Sequence, residues 1–184
     1  HHRVTLLDHQ LTQEEFSNYT WKSHFCLLIP GDTGSSARLY KYMFSGCIPV
    51  VLMSSPELLP FNRFVNWTAF SVVRDVSILY SPARMRQLVA HLRSIAAEIH
   101  GLRRMRDNLA RACELFDWRR EQFPSPYHLA LLDLTTPGWL ERQARDVVEI
   151  PADDKENPRG GVGVSSRVER GVSALWEALL ANAL

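Results

Sequence analysis

The sequence predicts an α/β fold, a parallel sheet flanked by helices. Two apolar runs, Phe25-Cys26-Leu27-Leu28-Ile29 and Ile48-Pro49-Val50-Val51-Leu52-Met53, have the character of strands covered on both faces. Between them stand a loop of small residues, 30–36, and a segment of helical length, 37–44. Parallel strands need a crossover of this kind, so the three pieces read as one βαβ unit. Such units place ligands at the carboxyl ends of their strands.

The flanking elements follow in order. Residues 4–7 are a short apolar run and read as a strand. Residues 13–21 read as a helix, capped by Thr12, with Glu14 and Glu15 in the first turn. After the βαβ unit, residues 56–60 are rich in turn formers, and residues 70–73 alternate into another strand. Ser81-Pro82 marks a helix start, a hydroxyl cap followed by proline at the first helical position. From there Met85, Leu88, Leu92, Ile95 and Ile99 form one apolar stripe, and Gly101 is expected to end or bend the helix. A second stripe runs through Leu102, Met105, Leu109, Ala112 and Phe116, and both stripes read as core.

Pro124-Ser125-Pro126 marks a boundary. The organisation expected is one lobe over residues 1–126, an unplaced extension over 127–150, a flexible polar linker over 151–171 and an amphipathic tail helix over 172–184. The linker's Gly160-Gly161-Val162-Gly163 lacks the preceding strand and following lysine of a phosphate loop. The tail helix is too short to be stable alone and must dock or fray.

Bulk properties narrow the function classes. The chain has 184 residues, 46% hydrophobic and 22% charged, which suffices for one domain with a sizeable core. Its net charge of +1 provides no field for nucleic acid or an acidic membrane. The clusters Arg103-Arg104-Met105-Arg106 and Arg119-Arg120 read as solvated helix faces. No run is apolar enough to cross a bilayer, and no signal peptide is visible. Cys26, Cys47 and Cys113 form no C-x-x-C pair, and the histidines lack zinc-site spacing, so no metal is expected. Cys26 and Cys47 are expected as buried thiols, with a bridge as the alternative in an oxidising lumen. Asn18-Tyr19-Thr20 and Asn66-Trp67-Thr68 are glycosylation sequons, with Asn18 and Asn66 as acceptors.

The candidate site is the loop Gly31-Asp32-Thr33-Gly34-Ser35-Ser36. Gly31 and Gly34 permit close backbone approach, Ser35 and Ser36 can donate to phosphate oxygens, and Arg38 offers a fork of donors one turn into the helix. Together they can hold a diphosphate. The competing reading has Ser35 or Ser36 merely capping the helix and Arg38 in a surface ion pair. Asp32 is expected to orient the loop by capping its amides, since a carboxylate beside a diphosphate repels it. Glu57 is a sugar-contact candidate or a solvated turn residue.

Residue types and order here go beyond a generic crossover. Phe25-Cys26-Leu27, Pro30, Gly31-Asp32, Ser36, Arg38-Leu39 and Gly46-Cys47-Ile48-Pro49-Val50 resemble the exostosin family of glycosyltransferases. The resemblance continues through Leu59-Pro60-Phe61, Asn66-Trp67 and Phe70-Ser71. It reaches Leu92-Arg93-Ser94-Ile95 and fades after Met105-Arg106-Asp107-Asn108-Leu109. It implies the C-terminal, donor-binding half of a two-lobed GT-B enzyme, a Rossmann-like lobe that binds a nucleotide sugar. It further implies inverting transfer from a uridine diphosphate sugar to a polysaccharide or glycan acceptor, without a bound metal or cofactor. It implies a Golgi type II membrane parent whose anchor and N-terminal lobe are missing here, and a homologous subunit as a partner. The acceptor lobe often supplies the catalytic base, so no base is named and the isolated chain is expected to be inactive.

Lys41 departs from the family pattern, which has a carboxylate suited to ribose hydroxyls at that position. A lysine cannot accept a hydrogen bond. It is expected to add positive charge near the diphosphate or to point to solvent. Tyr40, Tyr42 and Phe44 are also bulkier than the resemblance leads one to expect. The alternative function is a non-catalytic homologue serving as a scaffold subunit in a glycan-synthesising complex. An unrelated nucleotide-binding module is a third reading.

Overall fold

The computed structural model describes residues 11–29, 37–121 and 125–135. The strand expected over 4–7, the loop over 30–36, the linker and the tail helix lie outside the described residues. Helix α1 is Gln13–Lys22. Its start is a reciprocal capping box: Thr12 Oγ1 accepts from the Glu15 amide at 3.2 Å, and Glu15 Oε2 accepts from the Thr12 amide at 2.9 Å. Strand β1 is Phe25–Leu28, helix α2 is Ala37–Phe44 and strand β2 is Ile48–Leu52. Gly46 adopts φ 73° after α2, and the amides of Gly46 and Cys47 return to the Met43 and Tyr42 carbonyls. A left-handed residue there stops the helix and turns the chain into β2, which glycine does without steric cost.

Short 3-10 segments, Pro56–Leu58 and Trp67–Ala69, lead to strand β3, Val72–Arg74. The described sheet has the order β1-β2-β3, and both pairs are parallel. The register pairs Phe25 with Ile48, Leu27 with Val50 and Val50 with Val72. Helices α3 (Pro82–Ala97), α4 (Ile99–Phe116) and α5 (Pro126–Thr135) complete the described chain. The architecture is therefore the α/β, Rossmann-like parallel sheet with flanking helices that the sequence predicts.

Apolar side chains gather on both faces of the sheet. One cluster joins Leu28 and Val51 to Leu39 and Met43 of α2, Leu109 and Phe116 of α4, and Leu129 and Leu132 of α5. The other joins Val50, Leu52 and Val72 to Leu88 of α3. The 127–150 extension, which periodicity leaves unplaced, thus begins in a helix whose Leu129 and Leu132 are fully buried. Arg63 Nη1 donates to the Asp133 carbonyl at 3.0 Å, tying the loop after β2 to α5.

Aromatic rings fill the larger cluster. The Phe116 ring lies 5.6 Å from Phe61, 5.5 Å from Trp67 and 5.9 Å from Tyr40. Trp67 Nε1 donates to the Pro60 carbonyl at 3.0 Å, so its polar edge is satisfied inside the core. Phe61 has φ 54°, an uncommon backbone state for a large side chain, and its stack on Phe116 opposes that local cost. Asn108, buried on α4, donates to the Ala69 carbonyl at 3.1 Å and holds the approach to β3.

Several expectations are corrected. Strand β1 is not covered on both faces: Leu27 is 38% exposed, because α3 covers Val50 and Val72 but leaves their neighbour Leu27 open. Gly101 neither ends nor bends a helix. The break falls at Glu98, whose amide returns to Ser94 and Ile95, and Gly101 lies buried inside α4, where the Glu98 carboxylate occupies the space of a side chain. That break resets the helical phase, so Ile99 leaves the stripe and is 73% exposed. Cys26 and Cys47 are not free thiols but a disulfide, with α-carbons 5.8 Å apart. The parallel register sets Cys26 diagonally across from Cys47, within the span a disulfide requires.

Candidate functional site

The parallel pairing of β1, β2 and β3 brings the carboxyl ends of the three strands to one edge of the sheet, at Leu28, Leu52 and Arg74. The candidate loop leaves β1 at that edge and re-enters at Ala37. Gly31, Asp32, Ser35 and Ser36 lie outside the described residues, and so does their contact with any ligand. What the structure describes is the frame: the strand before the loop, the helix after it and the disulfide that closes the loop's base.

Arg38 stands in the first turn of α2 with its side chain exposed. It lies close enough to Tyr42 to act on that phenol. Burial raises the Tyr42 hydroxyl above its ordinary range, and the Arg38 guanidinium opposes the rise. The Tyr42 hydroxyl donates to the Leu27 carbonyl at 3.4 Å, and its ring stacks on Phe16 of α1 at 5.7 Å. Arg38 is thus set beside a phenol fixed to the last residues of β1.

Lys41 is exposed on α2 and reaches across to α1. Its Nζ donates to Gln13 Oε1 at 3.4 Å and sits 5.7 Å above the Phe16 ring. One turn separates Arg38 from Lys41 on α2, and the lysine is engaged by α1. The sequence signal for this contact is absent locally, because Gln13 and Phe16 are far from Lys41 along the chain.

Glu57 follows β2 in the Pro56–Leu58 turn. It lines a cavity of about 410 Å³ together with Asn62, Arg63, Asn66, Trp67 and Thr68. Arg38 does not line it, and Val73 of β3 does. Sequence reasoning missed Asn62 and Arg63 as cavity residues. The turn-forming composition around Pro60 was the available signal, but it does not say which polar groups converge.

Asn18 is exposed on α1, while Thr20 of its sequon is buried and donates to the Phe16 and Ser17 carbonyls. Asn66 is exposed, and its Oδ1 accepts from the Thr68 amide and hydroxyl. Among the described residues, no group of three or more His, Cys, Asp and Glu side chains can hold a metal. No described helix is long and apolar enough to cross a membrane.

Comparison with known proteins agrees with the resemblance seen in the sequence. Residues 4–88 match the family model described as the Exostosin GT47 domain. The chain is 36% identical over 75 residues to Probable glycosyltransferase At3g07620 of Arabidopsis thaliana, covering 41% of this chain and 15% of that protein. It is 31% identical over 72 residues to Probable arabinosyltransferase ARAD1 of Arabidopsis thaliana, covering 39% of this chain and 16% of that protein. It is 32% identical over 93 residues to the Exostosin-1 homolog of Caenorhabditis elegans, covering 47% of this chain and 24% of that protein. The chain thus spans at most about a quarter of the length of these relatives. No solved structure matches it.

Proposed function

We propose, with the exostosin GT47 match over residues 4–88 as premise, that this chain is the donor-binding part of a glycosyltransferase. The observation that carries the reading is that the matched segment includes the whole parallel crossover, with Arg38 one turn beyond the loop. In this reading the chain is the C-terminal half of a GT-B enzyme. It binds a nucleotide-diphosphate sugar, a uridine diphosphate sugar, and the reaction inverts the anomeric carbon. The acceptor is a polysaccharide or other glycan.

The chemistry asked of these residues is stabilisation of a leaving diphosphate. Loop amides at Gly31 to Ser36, the Ser35 and Ser36 hydroxyls and the Arg38 guanidinium meet negative charge as it develops. Asp32 orients the loop. Tyr42, bonded to the Leu27 carbonyl, lies near enough to Arg38 to feel its charge. Lys41 serves at second hand by clasping α1 to α2. Glu57, across the sheet edge, is available to a sugar ring. The catalytic base belongs to the other lobe, so the fragment alone is inactive. The disulfide favours an oxidising compartment, in keeping with the lumenal side of a Golgi membrane.

The test is thermal stability against ligand. Uridine diphosphate at a hundredfold excess over its dissociation constant stabilises a binding-competent fold by about 2.7 kcal/mol. Arg38→Ala abolishes that gain in a folded protein. An equal response to adenosine diphosphate points to a generic nucleotide module.

One observation favours a second reading, a non-catalytic scaffold homologue. Lys41 provides no acceptor for ribose hydroxyls and is already committed to Gln13. A folded chain that ignores millimolar uridine diphosphate supports that reading.

A further inference from the structure

We propose that Asn66 is an N-glycan acceptor of this chain and that Asn18 is not, although both stand in sequons. The two sites differ in what the threonine hydroxyl does. At Asn66 the hydroxyl of Thr68 donates to Asn66 Oδ1 at 2.7 Å, and the Thr68 amide donates to the same oxygen at 3.1 Å. The sequon closes on itself in a turn that needs only its own three residues. Asn66 is exposed, and its Nδ2 makes no hydrogen bond among the described residues.

At Asn18 the equivalent hydroxyl is consumed by the helix. Thr20 is 4% exposed, and its Oγ1 donates to the Phe16 and Ser17 carbonyls, each at 3.0 Å. Asn18 is exposed but lies in the middle of α1, and presenting its threonine to a transferase requires unwinding a helix that starts with a capping box. Acceptor sequons belong to surface loops and turns. Only Asn66 meets that condition.

A second observation is independent of both sequons. The Cys26–Cys47 disulfide belongs to an oxidising environment, the same one in which asparagine is glycosylated. The donor class is a lipid-pyrophosphate-linked oligosaccharide. The Asn66 amide nitrogen forms a bond to the anomeric carbon, and that carbon's bond to the phosphate oxygen breaks. The lipid pyrophosphate leaves with the electron pair, and one amide proton passes to the transferase's base. Asn66 stands at the cavity lined by Glu57 and Asn62, so the glycan projects from its wall.

The full chain, expressed behind a cleavable leader in a eukaryotic secretory pathway, should carry one endoglycosidase-sensitive glycan. Peptide mass mapping after enzymatic release in heavy-oxygen water should mark Asn66 and leave Asn18 unmarked, with no variant needed. N66Q and T68A should lose the mass shift, whereas N18Q and T68S should keep it. A chain that has formed the Cys26–Cys47 disulfide yet carries no glycan would overturn the proposal. So would a label at Asn18 alone or at both positions.

Discussion

Cys26 of β1 is bonded to Cys47, the residue before β2, across the base of the crossover that contains the candidate loop and α2. The two positions are 21 residues apart, so the bond removes freedom from the unfolded chain. The chain-entropy account puts its contribution at about 3 kcal/mol. Replacing both cysteines by serine should lower the urea midpoint, and reductant should do the same to the native sequence. An unchanged midpoint in both experiments would show that the bond constrains nothing.

Lys41 should prove dispensable for the ligand. An exposed cation above an aromatic ring contributes about 0.5–1 kcal/mol. Lys41→Ala should therefore lose no more than that in urea unfolding and keep the thermal response to uridine diphosphate. A tenfold weaker response would place the amine at the diphosphate instead of on α1.

Phe116 is the most consequential core position. Its ring meets Tyr40, Phe61 and Trp67, so truncation empties a space bordered by α2, the loop after β2 and the approach to β3. Phe116→Ala should cost about 3–5 kcal/mol in equilibrium unfolding. A loss below 1 kcal/mol would mean that the neighbouring rings collapse into the gap.

Cys113 should be inert in the folded protein. Burial, then the Asp117 and Glu114 carboxylates, push its thiol from 9.0 up to about 12. The folded chain keeps this proton where the unfolded chain loses it, so the thiol's contribution to stability is present below pH 9 and declines as pH rises towards 12. A thiol reagent at pH 8 should label Cys113 only after denaturant is added. Rapid labelling of native protein at that pH would contradict the burial that raises the group.

Much of the frame was legible in the residues. The α2 segment was bounded by a small-residue loop and a glycine turn, and it forms as read, Ala37–Phe44. Ser81 caps α3, accepting from the Arg84 amide, because a hydroxyl before proline marks a helix start in sequence and space alike. Leu102, Leu109, Ala112 and Phe116 are buried as their spacing requires. The candidate site was less legible. Nothing near Lys41 names Gln13 or Phe16 as its partners, and nothing near Glu57 indicates that Asn62 and Arg63 share its cavity.

The amino-acid sequence by itself determined helix α1, the parallel β1-α2-β2 crossover and the start of α3, because apolar period, caps and turns act over a few neighbouring residues. It also determined the family likeness that residues 4–88 display. Only the tertiary structure decided that Cys26 meets Cys47, that Glu98 rather than Gly101 parts two helices, and that Lys41 rests on α1. Those outcomes depend on the register between strands and on which helix faces meet. Register and packing are settled by contacts between residues distant in the chain, which no local pattern encodes.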